Sequence, residues 1–224
     1  MRKDKDKNES LLCLSLHSEF TLEFASFLLK SNALRFGAFT LASGKPSPYY
    51  IDLRMLPSFP KHFHLAVEAL KKTVMAKVGT NFDALVSVPT SGLVFGSALA
   101  YSMEKPFAYV RKESKGYGTS KLIEGHLASG GHAVVIDDVA TTGNSMSYAV
   151  DVIRANGGMV TDVVALVNRM EGAEEHLKKM NIRLSAVASV NEIAEALHKA
   201  GLIDDSTLES VISQVASSGD YEAD

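Results

Sequence analysis

The residues of this 224-residue chain best suited to chemistry lie together in Val134-Val135-Ile136-Asp137-Asp138-Val139-Ala140-Thr141-Thr142-Gly143, followed by Asn144 and Ser145. Three apolar residues mark a strand leading in, and two adjacent carboxylates sit where it emerges. Burying two ionised carboxylates without partners would be very costly, so the pair must face polar ligands, a metal or solvent. The Thr-Thr-Gly-Asn-Ser run adds hydroxyls, a permissive glycine and free backbone N–H groups at the opening of a helix, a combination suited to a phosphate. No Gly-Lys-Ser/Thr is present, which argues against an NTP hydrolase of the P-loop kind. Taken alone, the same run is also compatible with a plain helix cap and a solvated turn.

A second cluster is cationic. Arg111, Lys112 and Lys115 fall within five residues and are followed by Gly116 and Gly118. Such a segment makes a flexible positive lid able to neutralise charge on a leaving group, or simply a solvated basic loop. Other candidates are weaker. His62 and His64, at i and i+2, fall on different helix faces and have no third ligand to complete a metal site. The single cysteine, Cys13, can form neither an intrachain disulfide nor a thiolate cluster, and a reducing, intracellular setting is the simplest reading. No Gly-x-Ser-x-Gly elbow appears.

The elements that must position these residues follow from periodicity. Phe20, Phe24, Phe27 and Leu28 predict a first helix over about 18–30 that ends near Asn32, with strands at 36–41 and 49–53 around a turn at 43–48. Pro60 and the stripe Phe63, Ala66, Val67, Leu70 and Val74 predict a second helix. From residue 83 the pattern becomes strand, loop, helix, repeated. Strands are expected at 84–88, 107–110, 132–136, 160–167 and 184–188. Helices are expected at about 92–103, 144–156, 172–180 and 190–200, with another over 205–217. This alternation predicts an α/β fold with a mostly parallel sheet and helices on both faces. Ligands in such a sheet bind beyond the carboxyl ends of the strands, so the loops after residues 88, 110, 136 and 167 are where chemistry is expected.

A length of 224 residues predicts one large domain over 11–217, with residues 1–10 a disordered tail and 218–224 a frayed one. Hydrophobic residues make up 46% and charged residues 22%, the balance of an ordinary globular protein, which excludes disordered and fibrous classes. The formal charge of -3 supplies no global cationic field to hold nucleic acid or an anionic membrane. The uncharged stretch 84–103 is interrupted by Pro89, Thr90, Ser91 and Gly92 and reads as strand, turn and helix rather than a membrane span. The short apolar run 11–16 is too short and wrongly flanked for a secretory signal.

The run from 134 to 145 resembles the PRPP (5-phosphoribosyl 1-diphosphate) motif of type I phosphoribosyltransferases, and its context resembles the orotate phosphoribosyltransferases within that family. The resemblance spans roughly residues 34–172. It includes Phe36-Gly37-Ala38-Phe39-Thr40-Leu41-Ala42-Ser43-Gly44, the segment Tyr109-Val110-Arg111-Lys112-Glu113-Ser114-Lys115-Gly116-Tyr117-Gly118, and Asn168-Arg169-Met170-Glu171-Gly172. The words Tyr117-Gly118-Thr119 and Ile123-Glu124-Gly125 are similar to the archaeal branch.

The resemblance implies the type I phosphoribosyltransferase fold, with a small N-terminal hood mainly at 18–55 and a core at about 60–200. It implies transfer of the phosphoribosyl group from PRPP to orotate, giving orotidine 5′-phosphate and diphosphate in de novo pyrimidine (UMP) biosynthesis. Asp137 and Asp138 would contact the ribose hydroxyls, with Val139, Ala140, Thr141, Thr142, Gly143, Asn144 and Ser145 completing the PRPP site around the 5-phosphate. Arg111, Lys112 and Lys115 would form the catalytic loop over the diphosphate, joined by Tyr117. Thr141, Arg169 and Tyr50 would hold orotate. A guanidinium suits that planar acid because it donates two parallel hydrogen bonds. Mg²⁺ would be held mainly through PRPP and water, with no direct protein ligand. A cytoplasmic homodimer sharing the catalytic loop is implied, without nucleic-acid or membrane partners.

The chain departs from the family's bacterial pattern at several points. Ala42 and Tyr117 replace a lysine and a histidine, Asn168 replaces an aspartate, and Pro89-Thr90-Ser91-Gly92 lacks a lysine. A phosphoribosyltransferase for a purine or another base is the neighbouring possibility. A non-catalytic PRPP-sensing transcription regulator is a third, although neither length nor charge leaves an obvious place for its DNA-binding module.

Overall fold

Short apolar runs become strands and amphipathic stretches become helices in the computed structural model, which describes residues 19–41, 44–111 and 122–219. Helix α1 covers 19–30. Strands β1 (Leu34–Thr40) and β2 (Pro46–Ile51) follow, then a single 3-10 turn at Leu56–Ser58 and α2 (Pro60–Lys77). Next come β3 (Ala84–Ser87), α3 (Ser91–Met103), β4 (Phe107–Val110), β5 (Ile123–Gly125) and β6 (His132–Ala140). The chain continues through α4 (Asn144–Ala155), β7 (Met159–Asn168), α5 (Ala173–Lys179), β8 (Arg183–Ser189), α6 (Val190–Lys199) and α7 (Asp205–Gly219). Among the described residues, no helix is long and apolar enough to cross a membrane.

Two compact units result. The first joins the residues up to Asp52 with Val190–Ser217, and the second is centred on Leu53–Ser189. In the first, β1 and β2 pair antiparallel, Arg35 opposite Tyr50 and Leu34 opposite Ile51. Strand β2 starts earlier than expected, at Pro46. It tolerates Pro46 and Pro48 because a two-stranded sheet has only edge strands, where a missing N–H costs little. Helix α6 carries a buried stripe of Val190, Ile193, Ala194 and Leu197, the i, i+3, i+4, i+7 spacing of an amphipathic helix.

The second unit holds a six-stranded sheet in the order β5-β4-β3-β6-β7-β8. Every neighbouring pair is parallel except β5 against β4. Strand β5 is invisible to periodicity because three residues carry too little alternation. On one face, Met146, Ala149, Val150 and Ile153 of α4 and Leu177 of α5 pack against Val86, Val135, Val163 and Ala165. Strand alternation turns Leu85, Val134, Ile136 and Val164 to the other face, which α2 and α3 cover, their Phe63 and Phe95 meeting edge to face at 5.5 Å. At the amino ends of the strands, the buried Asp162 pairs with Arg183 at 2.6 Å and accepts from the Thr161 hydroxyl.

Strand β6 runs to Ala140 rather than stopping at residue 136, and this corrects the expected boundary. β3 ends at Ser87 opposite Ile136, whereas β7 keeps pairing beside β6 through Asp137–Ala165, Val139–Val167 and Ala140–Asn168. The carboxylates therefore sit in a notch, on a strand supported from one side only.

Candidate active site

The notch is filled from the β3 side by the start of α3. Gly92 approaches so closely that an added Cβ would lie 2.7 Å from Asp137 Oδ1, 3.2 Å from the Ile136 carbonyl oxygen and 3.3 Å from Asp137 Cα. Asp137 is buried and its Oδ1 accepts the Asp138 backbone N–H at 2.9 Å. The Asp138 carboxyl is pushed above the usual carboxylate range, chiefly by burial. Hydrogen bonding with the neighbouring Asp137 side chain, with the backbone at 138 and 139 and with the Ser91 side chain pulls it back only in part. A pair of acceptors held this way suits vicinal hydroxyl groups.

Past Ala140 the chain turns through Thr141, Thr142 and Gly143 into α4. Gly143 is the N-cap residue, with φ of 83°, and no side chain among the described residues caps the helix. The first N–H groups of α4 are thus left for an external acceptor, and an uncapped helix start favours an anion. Gly143 also passes close to α5, where an added Cβ would lie 3.2 Å from Ala173 Cα. Positive φ and close approach together make glycine the residue that fits.

The loop after β7 lies beside this turn. The Arg169 N–H donates to the Ala140 carbonyl at 2.9 Å, and the Ala173 N–H to the Thr141 carbonyl at 3.1 Å. The Arg169 guanidinium is buried against Glu171, with Nη2 2.7 Å and Nε 2.9 Å from Oε1. The Asn168 side chain accepts the Met170 N–H at 2.8 Å, a turn in which Met170 takes φ of 58°. An aspartate would offer the same acceptor, so Asn168 keeps that loop contact.

The structure thus gathers Asp137, Asp138, the 139–145 run and Arg169 at the carboxyl end of β6 and β7. Arg111 stands at the end of β4. Its Nη1 lies 3.1 Å from Glu124 of β5, its N–H donates to Leu122, and its carbonyl accepts the Tyr148 hydroxyl of α4 at 3.1 Å. Lys112, Lys115 and Tyr117 lie outside the described residues, as do Ala42, Cys13, residues 1–10 and residues 220–224. Tyr50 belongs to the first unit, where the Arg35 guanidinium lies over its ring at 5.1 Å and over Phe39 at 5.4 Å.

Sequence reasoning passed over Ser91, Gly92 and Glu171 as site residues. Ser91 and Gly92 carry a legible signal, small residues after an apolar strand. Glu171 carries none, since its role depends on the direction in which the fold turns its side chain toward Arg169. Among the described residues, no group of three or more His, Cys, Asp or Glu side chains could hold a metal ion. The two carboxylates of the notch nonetheless offer oxygen donors, the type a hard divalent cation prefers.

A phosphoribosyl transferase domain model matches residues 59–198. The chain is 46% identical over 181 residues to an orotate phosphoribosyltransferase of Cenarchaeum symbiosum, covering 80% of this chain and 90% of that one. It is similar to the crystal structure of orotate phosphoribosyltransferase from Aeropyrum pernix, with a TM-score of 0.71 and 38% identity over 80% of this chain and 99% of that chain. It is also similar to Leishmania donovani UMP synthase, with a TM-score of 0.78 and 32% identity over 88% of this chain, which spans 42% of that longer one.

Proposed function

The chain belongs to the phosphoribosyl transferase domain family, and from that premise we propose that it transfers the 5-phosphoribosyl group of PRPP to orotate, giving orotidine 5′-phosphate and diphosphate. It is an enzyme of the pentosyltransferase class, working in pyrimidine synthesis. The observation that carries the reading is the notch on β6. An acid pair able to accept two hydroxyls stands directly before an uncapped helix start able to hold a phosphate, the two ends of a ribose 5-phosphate.

Asp137 and Asp138 accept the ribose 2- and 3-hydroxyls. The turn from Val139 to Ser145 wraps the 5-phosphate with backbone N–H groups and the hydroxyls of Thr141, Thr142 and Ser145. Arg169, held by Glu171, and Thr141 orient orotate. Displacement at the anomeric carbon builds positive charge on the ribose and negative charge on the departing diphosphate. Arg111, Lys112 and Lys115 neutralise the latter, with Tyr117 completing the contacts, so the protein's work is positioning and charge stabilisation. Mg²⁺, carried in mainly by PRPP and water, would add charge neutralisation on the diphosphate. The enzyme acts in the cytoplasm as a homodimer in which the loop carrying Lys115 serves the neighbouring subunit.

The test is an assay of purified protein with PRPP and Mg²⁺ against a panel of bases, following diphosphate release. Turnover with orotate and not with purines is expected. Turnover with a purine alone would overturn the substrate, and silence with every base would overturn the enzyme.

A further inference from the structure

Three successive carbonyls of the β6–α4 turn are each held from the same neighbouring segment. Ala140 accepts from the Arg169 N–H, Thr141 from the Ala173 N–H, and Thr142 from the His176 ring, whose Nδ1 lies 3.0 Å from the Thr142 oxygen. The first two donors are backbone groups, available whatever the side chain. The third is a side chain. A carbonyl can only accept, so His176 Nδ1 carries the proton in this contact.

In a trans peptide the carbonyl and the following N–H point in opposite directions. Turning the oxygens of 140, 141 and 142 toward the segment from Arg169 to His176 therefore turns the N–H groups of Thr141, Thr142 and Gly143 to the opposite side. The Thr142–Gly143 peptide leads into the N-cap residue of α4, and Gly143, with φ of 83° and no side chain, does little to restrain it. Among the described residues, only His176 holds its orientation through the carbonyl. Gly143 simultaneously rests on Ala173, one turn before His176 on the same helix.

We propose that His176 is a positioning residue for the phosphate-binding turn: it holds the Thr142 carbonyl so that the Gly143 N–H faces the 5-phosphate. The role rests on the reading of this site as a PRPP site and adds to it a residue outside the turn itself. Preorganised donors lose no reorganisation energy when the ligand arrives, so removing the contact weakens phosphate binding without removing any group that touches ligand.

The test compares His176→Phe, which keeps a ring but has no donor, with His176→Asn, whose amide nitrogen can donate from nearly the position of Nδ1. Calorimetric titration uses three probes: ribose 5-phosphate, PRPP with Mg²⁺, and inorganic diphosphate with Mg²⁺. His176→Phe is expected to weaken ribose 5-phosphate and PRPP by a similar factor of about three to ten, the worth of one hydrogen bond. Diphosphate affinity and the KM for orotate at saturating PRPP should stay at wild-type values, and His176→Asn should recover most of the loss. If His176→Phe does not fold, His176→Ala serves the same comparison.

Unchanged ribose 5-phosphate affinity in the donor-less variant overturns the proposal. So does an equal loss in His176→Asn, or a loss that extends equally to diphosphate. Wild-type protein that binds neither ribose 5-phosphate nor PRPP would instead overturn the assignment of the site itself, and His176's role with it.

Discussion

Burial raises the pKa of the Asp138 carboxyl, and the hydrogen bonds around it only partly offset the shift. A carboxylate must be ionised to accept two hydroxyls well, so PRPP affinity is expected to fall as pH drops through this raised pKa, at a higher pH than an ordinary aspartate would impose. For the free protein the sign is opposite. A raised folded pKa contributes stability that is present in acid and lost as pH rises through it, so the ionised group is a burden at neutral pH. Asp138→Asn should therefore weaken PRPP binding at pH 7, flatten its acid dependence and raise the Tm of the ligand-free protein, checked by titration and melting from pH 5 to 8. Gly92 is the second sensitive residue. Gly92→Ala forces a methyl against the Asp137 carboxylate and the Ile136 carbonyl, neither a flexible chain end, and overpacking of this kind costs about 1–3 kcal/mol. Thermal melting should register that cost, and PRPP affinity should fall with it. Arg169 separates base from sugar. Arg169→Ala should raise the KM for orotate and leave PRPP affinity nearly intact, whereas a collapse of PRPP binding in steady-state and titration measurements would give it another role.

The element that matters most is the turn from β6 into α4, because it carries donors on a backbone that β7 and α5 hold in place. Thr142 is exposed on it, where its hydroxyl can reach a ligand. Thr142→Val replaces that hydroxyl by a methyl with little change in volume. A hydrogen bond to a charged group is worth about 1.5–3 kcal/mol, so PRPP affinity should drop by one to two decades in calorimetric titration. The position of this element was legible in the sequence, since hydroxyls, glycine and a helix pattern fall in order after an apolar run. The continuation of β6 through Asp137 to Ala140 was not. Two carboxylates carry no strand signal, and their extended conformation depends on pairing with β7, a partner defined only by the fold. The three-residue β5 was hidden for the same reason, its strand character residing in its pairing with β4.

For the whole molecule, the proposal of a shared loop has a direct test. Lys115→Ala chains lack the proposed lid cation, and Asp137→Ala, Asp138→Ala chains lack the ribose acceptors, so each homodimer should be inactive. After subunit exchange at equal amounts, about half the dimers are mixed and each has one intact site, so roughly a quarter of wild-type activity should return if sites act independently. A verified mixed dimer that remains inactive would refute the sharing. Lys115→Ala alone should lower turnover by about two to three decades with little change in PRPP affinity, as expected of a group that acts in the transition state.

The sequence by itself determined the α/β class, the order of the elements and the location of the acid pair and phosphate turn, because each rests on local pattern: apolar period, glycine, hydroxyls, charge. It also determined the family, since four separate words occur in the family's order. Tertiary structure alone decided that residues 190–217 cluster with the β1–β2 hairpin rather than with the sheet that α6 follows in the chain. It alone set Gly92 against Asp137, paired Glu171 with Arg169 and placed His176 under the Thr142 carbonyl. Those contacts join residues distant in sequence or turn on the direction a side chain takes once its element is packed. A one-dimensional pattern records which faces are apolar, and the packing of those faces settles which polar groups then meet.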